Sequence, residues 1–189
     1  MQILELVNWN APQIDVTDHG NLRWDLSVMH WMVKNGRQID WDFLRNINLK
    51  HSNKRAVLRS DFAYVCDMVV SQRVKDYIDS LKLPKIDFYP LRIFSKQFYT
   101  IIVRNRIDCL DRKQSVINYS TSNPNRFVSI SKYRFLKNKI GKNQMFRLRG
   151  DKRHIIFVTD VFAEGFDAQK FKGYRFIDIE NPPKHYYVA

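Results

Sequence analysis

Two stretches of this chain carry the same internal pattern, 88 positions apart. Set above residues 157–179 without a gap, residues 69–91 place Val70 on Val158, Ser71 on Thr159, Val74 on Phe162, Ile78 on Phe166, Asp79 on Asp167 and Leu83 on Phe171. Ile86, Phe88 and Leu91 then fall on Tyr174, Phe176 and Ile179. Each copy opens with a short apolar run, Met68-Val69-Val70 or Ile156-Phe157-Val158, which predicts a buried strand. Ser71 or Thr159 follows, a residue type whose side-chain oxygen caps the first amides of a helix. Apolar residues four apart, Val74 and Ile78 or Phe162 and Phe166, predict one inward helix face. The helix is expected to stop near Pro84 in the first copy and at Gly173 in the second, and a strand then returns. Two strand–helix–strand units are too few for a solenoid. They leave two arrangements open: two similar lobes, or one sheet with pseudo-symmetric halves.

The rest of the chain reads mainly as strands. Met1 to Trp9 is an expected edge or first strand, and Phe98 to Ile107 is the most strongly β-branched and aromatic run. Tyr119 to Arg126 reads as a polar loop, Phe127 to Ile130 as a strand, Ile140-Gly141-Lys142-Asn143 as a turn and Met145 to Leu148 as another strand. The expected fold class is α+β, with a mainly antiparallel sheet and few, short helices. At 189 residues the chain is expected to form one domain. Within it lie an aromatic-rich segment (1–60), the first unit (61–96), central strands with a basic stretch (97–150) and the second unit (151–189). Hydrophobic residues at 44% and aromatics at 14% exclude a disordered tail. Only 6 glycines and 6 prolines exclude collagen-like and linker-like designs. Apolar runs are too short for a membrane helix, and Met1 to Leu6 reads as a strand and not as a signal peptide. With two cysteines, Cys66 and Cys109, the expected compartment is the reducing cytoplasm.

Charge is the second constraint. Lys plus Arg outnumber Asp plus Glu by 32 to 19, and the excess lies beyond residue 50. Residues 132–153 hold Lys132, Arg134, Lys137, Lys139, Lys142, Arg147, Arg149, Lys152 and Arg153 against Asp151 alone. Such a single-sign field draws in a polyanion or an acidic protein surface, or it is a solvated face that maintains solubility. Tyr133, Phe135 and Phe146 interleave with these bases, which fits base stacking along a nucleic acid. The alternation Lys132-Tyr133-Arg134-Phe135 equally fits a half-buried strand with aromatics inward.

Chemistry-bearing motifs are few. No phosphate-cradling glycine loop, nucleophile elbow or zinc spacing can be written, and no cofactor or metal is expected. Asp108 and Asp111, followed by Arg112 and Lys113, could hold Mg²⁺ in a nuclease, or could simply turn the chain. Asp40 and Asp42 pose the same choice without a third ligand. The four tryptophans, Trp9, Trp24, Trp31 and Trp41, are expected to pack, and Cys109 is expected to be a buried, inert thiol.

Over residues 60–180 the order of these elements resembles a bacterial polymorphic-toxin immunity protein family, family eleven, formerly a domain of unknown function. The segment Val69-Val70-Ser71, its helix and Asp87-Phe88 carry the resemblance, as does Ile156-Phe157-Val158-Thr159 with Phe171-Lys172-Gly173-Tyr174-Arg175-Phe176. So do Tyr99-Thr100-Ile101-Ile102-Val103 leading to Asp108, Asp111 and Ser115, and the approach Met145-Phe146-Arg147-Leu148. The resemblance implies a non-catalytic protein that binds a cognate toxin domain and blocks it, with Asp108, Asp111 and Ser115 forming the fold. Charge then places the expected contact residues at Lys137, Lys139, Lys142, Arg147, Arg149, Lys152 and Arg153, facing an acidic partner surface. The alternative is a nucleic-acid-binding protein using the same stretch.

Overall fold

Met68–Ser71 (β3) and Ile156–Thr159 (β10) are buried at all four positions, as strands covered on both faces must be. Ser71 Oγ accepts from the Val74 amide to start the helix Gln72–Ser80 (α2), and Thr159 Oγ1 accepts from Phe162 to start Asp160–Asp167 (α4). Val74 and Ile78, and Phe162 and Phe166, are the buried faces that the spacing predicts. Both helices end earlier than Pro84 and Gly173. The chain turns instead through Lys82 (φ 50°) and Lys170 (φ 55°), which occupy the same place in the two copies. The returning strands are Ile86–Ile93 (β4) and Tyr174–Asp178 (β11).

The computed structural model describes residues 1–8, 54–64, 68–93, 96–151 and 155–183. The tryptophans, the histidines, Cys66, Asp40 and Asp42 lie outside them, as do Lys152 and Arg153. Besides the two units, the described elements are Ile3–Asn8 (β1), Lys54–Arg59 (α1), Phe62–Tyr64 (β2), Lys96–Val103 (β5), Arg106–Ile107 (β6), Val116–Ser120 (β7), Asn123–Lys132 (β8), Lys137–Ile140 (α3) and Met145–Leu148 (β9). The fold is α+β. Described ladders are antiparallel except β6 with β9, which is parallel. One expectation changes. The stretch 119–126, read as a polar loop, contributes strand residues to both arms of the β7–β8 ribbon: Tyr119 and Ser120 end β7, Asn123 opens β8, and Thr121, Ser122 and Asn123 are exposed. Of the edge or first strand expected over Met1 to Trp9, the first strand forms: β1 is inner and not an edge, lying between β10 and β11 with Ile3, Glu5 and Leu6 all buried.

Of the two arrangements left open by the sequence, the single sheet does not form: the units lie in two separate, similar sheets. One sheet runs β2-β3-β5-β4 and the other β9-β10-β1-β11, extended by β6. The registers agree residue for residue. Val69, Val70 and Ser71 pair with Thr100, Tyr99 and Phe98, while their counterparts Phe157, Val158 and Thr159 pair with Glu5, Leu4 and Ile3. On the other side, Ile86, Asp87 and Phe88 pair with Val103, Ile102 and Ile101, and Tyr174, Arg175 and Phe176 with Asn8, Val7 and Leu6. Strand β1 is therefore the counterpart of β5. Similarly Phe62 stands opposite Val70 as Met145 does opposite Val158. The amides of Ser71 and Thr159 donate to the carbonyls of Asp61 and Gln144 at 2.8 and 3.0 Å. In chain order each half runs strand, connection, strand, strand, helix, strand. Each half inserts its first strand into the other half's sheet: the exchange is reciprocal.

One core joins the halves. Val70, Val74, Ile78 and Ile101 of one sheet layer meet Leu6, Val158, Phe162 and Phe166 of the other. The helices touch at equivalent positions, Tyr77 on α2 and Gly165 on α4: a Cβ added to Gly165 would lie 2.6 Å from the Tyr77 hydroxyl. The Tyr77 ring packs edge-on to Phe166 and Phe171, with centroids 5.6 and 5.9 Å away. A second core lies on the opposite face of β1, β9 and β10. There Ile3, Phe146 and Phe157 meet Cys109, Phe127, Ile130, Tyr133, Phe135 and Ile140, all contributed by residues 104–144, which connect β5 to β9.

Candidate interaction surface

The connection between β5 and β9 carries three of the expected contact residues, Lys137, Lys139 and Lys142. Ile140, fully buried, pins the single turn of α3, and the Asn143 side chain donates to the Ile140 carbonyl at 2.7 Å to close it. This holds Lys137, Lys139 and Lys142 outward, all exposed, with Gly141 (φ 57°) supplying the left-handed turn before Lys142. Lys137 Nζ lies 3.6 Å from a Glu180 carboxylate oxygen. Arg149 is exposed just beyond β9, its amide held by the Ile107 carbonyl at 3.0 Å. Four of the seven expected residues are thus exposed.

Arg147 leaves that set. It sits on β9 between β6 and β10, where all four residues are buried, and only 6% of it is exposed. A strand sandwiched between two neighbours, with core on both faces, has no outward position, which charge alone did not show. The aromatic residues resolve as the alternation predicts: Tyr133, Phe135 and Phe146 are 2%, 7% and 0% exposed and stack on one another and on Phe157 in the second core. They are closed to stacking on bases. Arg134 lies half-buried, donating from one guanidinium nitrogen to the carbonyls of Tyr133 and Glu180 at 2.8 and 2.9 Å.

Asp108, Asp111 and Ser115 form the fold. Asp111 Oδ1 accepts from the amides of Lys113 and Gln114 at 3.0 and 3.2 Å, and its carbonyl accepts from the Ser115 amide. Ser115 Oγ accepts from the Arg134 amide and donates to its carbonyl, tying the turn to the chain leaving β8. Asp108 pairs with Arg112 at 3.3 Å. Among the described residues no three His, Cys, Asp or Glu side chains gather where they could hold a metal ion. Burial pushes the Cys109 thiol up to about 12, so it stays protonated and weakly nucleophilic at neutral pH.

Sequence reasoning missed the breadth of the surface. Residues 104–150 hold 12 basic and 2 acidic side chains, and Arg106, Arg112, Lys113 and Lys132 are exposed with the four above. The signal was present in the charge count upstream of residue 132. The exposed valines of the ribbon, Val116 and Val128, were hidden by the turn-like composition between them.

With that geometry in place, the comparison with known families decides the assignment: the model of the immunity protein family Imm11 matches residues 7–181. The chain belongs to the Imm11 family. The match extends the resemblance seen over residues 60–180 into the N-terminal segment, and it takes in all of β5 and the last two residues of β1. No curated protein matches the chain. As an Imm11 member it falls in a class named for toxin immunity, and no described helix is long and apolar enough to cross a membrane.

Proposed function

We propose that this Imm11 protein binds a cognate bacterial toxin domain in the cytoplasm and neutralises it by one-to-one occlusion. It needs no cofactor and performs no chemistry of its own. Family membership over residues 7–181 is the observation that carries this reading. The contact region is the basic surface of the β5–β9 connection together with Arg149 just beyond β9, where Lys137, Lys139 and Lys142 steer an acidic partner and arginine anchors it. Lys152 and Arg153 belong to the same proposed set. Burial of Tyr133, Phe135 and Phe146 takes away the aromatic platform that a nucleic-acid reading of this stretch requires.

Co-expression with the toxin encoded by the neighbouring gene tests the proposal. Growth should be restored, and titration of the purified toxin should reach full inhibition at one equivalent. Reversing Lys137, Lys139, Lys142 and Arg149 to Glu should slow association by about 10- to 100-fold and flatten its dependence on salt. Toxicity undiminished by the intact protein, or turnover of a substrate by it, overturns the reading.

A further inference from the structure

We propose that the outward face of the β7–β8 ribbon is the toxin-docking face, and that the toxin presents to it an apolar patch ringed by carboxylates. This rests on the toxin-binding reading and names its interface.

The ribbon has two unlike faces. Phe127 and Ile130 are sealed into the second core, with Ile117 packed against them. Away from the core, Val116 and Val128 stand in solvent, 55% and 53% exposed, and Asn118, Ser129, Ser131 and Lys132 are exposed as well. Val116 stands opposite Lys132 and Asn118 opposite Ser129, so these side chains form one contiguous surface across the two strands. A single exposed valine on a protein surface needs no explanation. Two exposed β-branched residues on one ribbon, with Val128 bulged out of its register and the whole within a strongly basic stretch, supply the apolar centre and charged rim that protein interfaces combine.

Charge identifies the occupant. The two acids of residues 104–150 are engaged within the chain: Asp108 pairs with Arg112, and Asp111 accepts from the Lys113 and Gln114 amides. Lys132 lies on the face itself, with Lys113 at the turn before β7. A partner surface of the same sign would be repelled, and an acidic one attracted. Protein is favoured over nucleic acid because the apolar groups on this face are aliphatic. Tyr119 leans edge-on to Phe127, with centroids 5.7 Å apart, and is engaged within the ribbon. Docking uses the face and not the strand edges. Register shifts at three places in the ribbon disrupt its pairing pattern, a device that discourages strand addition.

The experiment compares Val128→Glu with Val128→Lys in the full-length protein, measuring Kd for the toxin domain encoded by the neighbouring gene. Both replacements are polar and sit at an exposed position, and thermal unfolding checks that both fold. Val116→Thr, a nearly isosteric change that keeps the strand preference, is the second probe. The expected result is at least a 10-fold larger Kd for the Glu variant than for the Lys variant, with a several-fold rise for Val116→Thr. Equal weakening by Glu and Lys overturns the acidic partner. Wild-type affinity in all three variants overturns ribbon docking while leaving toxin binding intact. If the unmodified protein does not bind that toxin, or binds only duplex DNA, the underlying reading fails and the inference falls with it.

Discussion

Tyr77 and Gly165 hold the same position in the two units, and they meet where α2 and α4 cross. Two tyrosines could not share that point, so one side fills the space that the other leaves empty. Gly165→Ala gains about 1 kcal/mol of helix preference but forces a methyl group onto the Tyr77 hydroxyl, and overpacking costs about 1–3 kcal/mol. The expected outcome in urea unfolding is a net loss of up to about 2 kcal/mol, most of it recovered by adding Tyr77→Phe. Full stability of Gly165→Ala alone would mean that the helices have room to separate. Asp160 offers a pH test at the same scale. The Gln2 amide donates to its carboxylate at 2.8 Å and, with the Val161 amide, holds it below its ordinary value of 3.8. A carboxylate lowered in the folded state stabilises above its unfolded value, and that contribution drains away as pH falls through the lower folded value. Asp160→Asn should therefore cost stability at pH 6 and little at pH 2, as measured by unfolding at both pH values.

At the scale of elements, the caps separate the two halves. Thr159→Ala should cost about 1 kcal/mol, the usual loss of a helix cap. Ser71→Ala should cost more, about 2 kcal/mol, because Ser71 Oγ also donates to the buried Asp61 carboxylate at 2.8 Å. Chemical denaturation of the two variants side by side measures the difference, and equal losses would mean that Asp61 does not need Ser71. These elements were legible because their signals are local: an apolar run, a capping hydroxyl, an i, i+4 pair. The helix ends were less so. Lys82 and Lys170 adopt the left-handed conformation that glycine usually takes, and nothing in their chemistry announces it. The ribbon was misread because solvated strands and loops share a composition. Arg147 was misplaced because burial depends on the neighbouring strands, which come from far along the chain. The exchange of β1 and β5 could not be read at all, since strand order is a long-range property and the sequence pattern only says that a strand exists.

For the whole molecule, that exchange makes the halves interdependent. Residues 1–93 alone would leave β2, β3 and β4 without the strand that joins β3 to β4, and residues 94–189 would leave β10 and β11 equally parted. Unpaired backbone groups and exposed inner edges should keep either fragment from unfolding cooperatively. Mixing the two should restore the native circular dichroism and one unfolding transition, and a fragment that folds by itself would refute the interdependence. The exchange also has a consequence in time. Ile156 lies 148 positions after Asn8, so the first strand made must wait for nearly the last, about 7–30 s at bacterial elongation rates of about 5–20 residues per second. A cell that relies on this protein has no benefit from a nascent chain. Under the proposed toxin-binding role, safety at the moment a poison appears rests on molecules already finished and in store, and a chain interrupted in translation adds nothing to them.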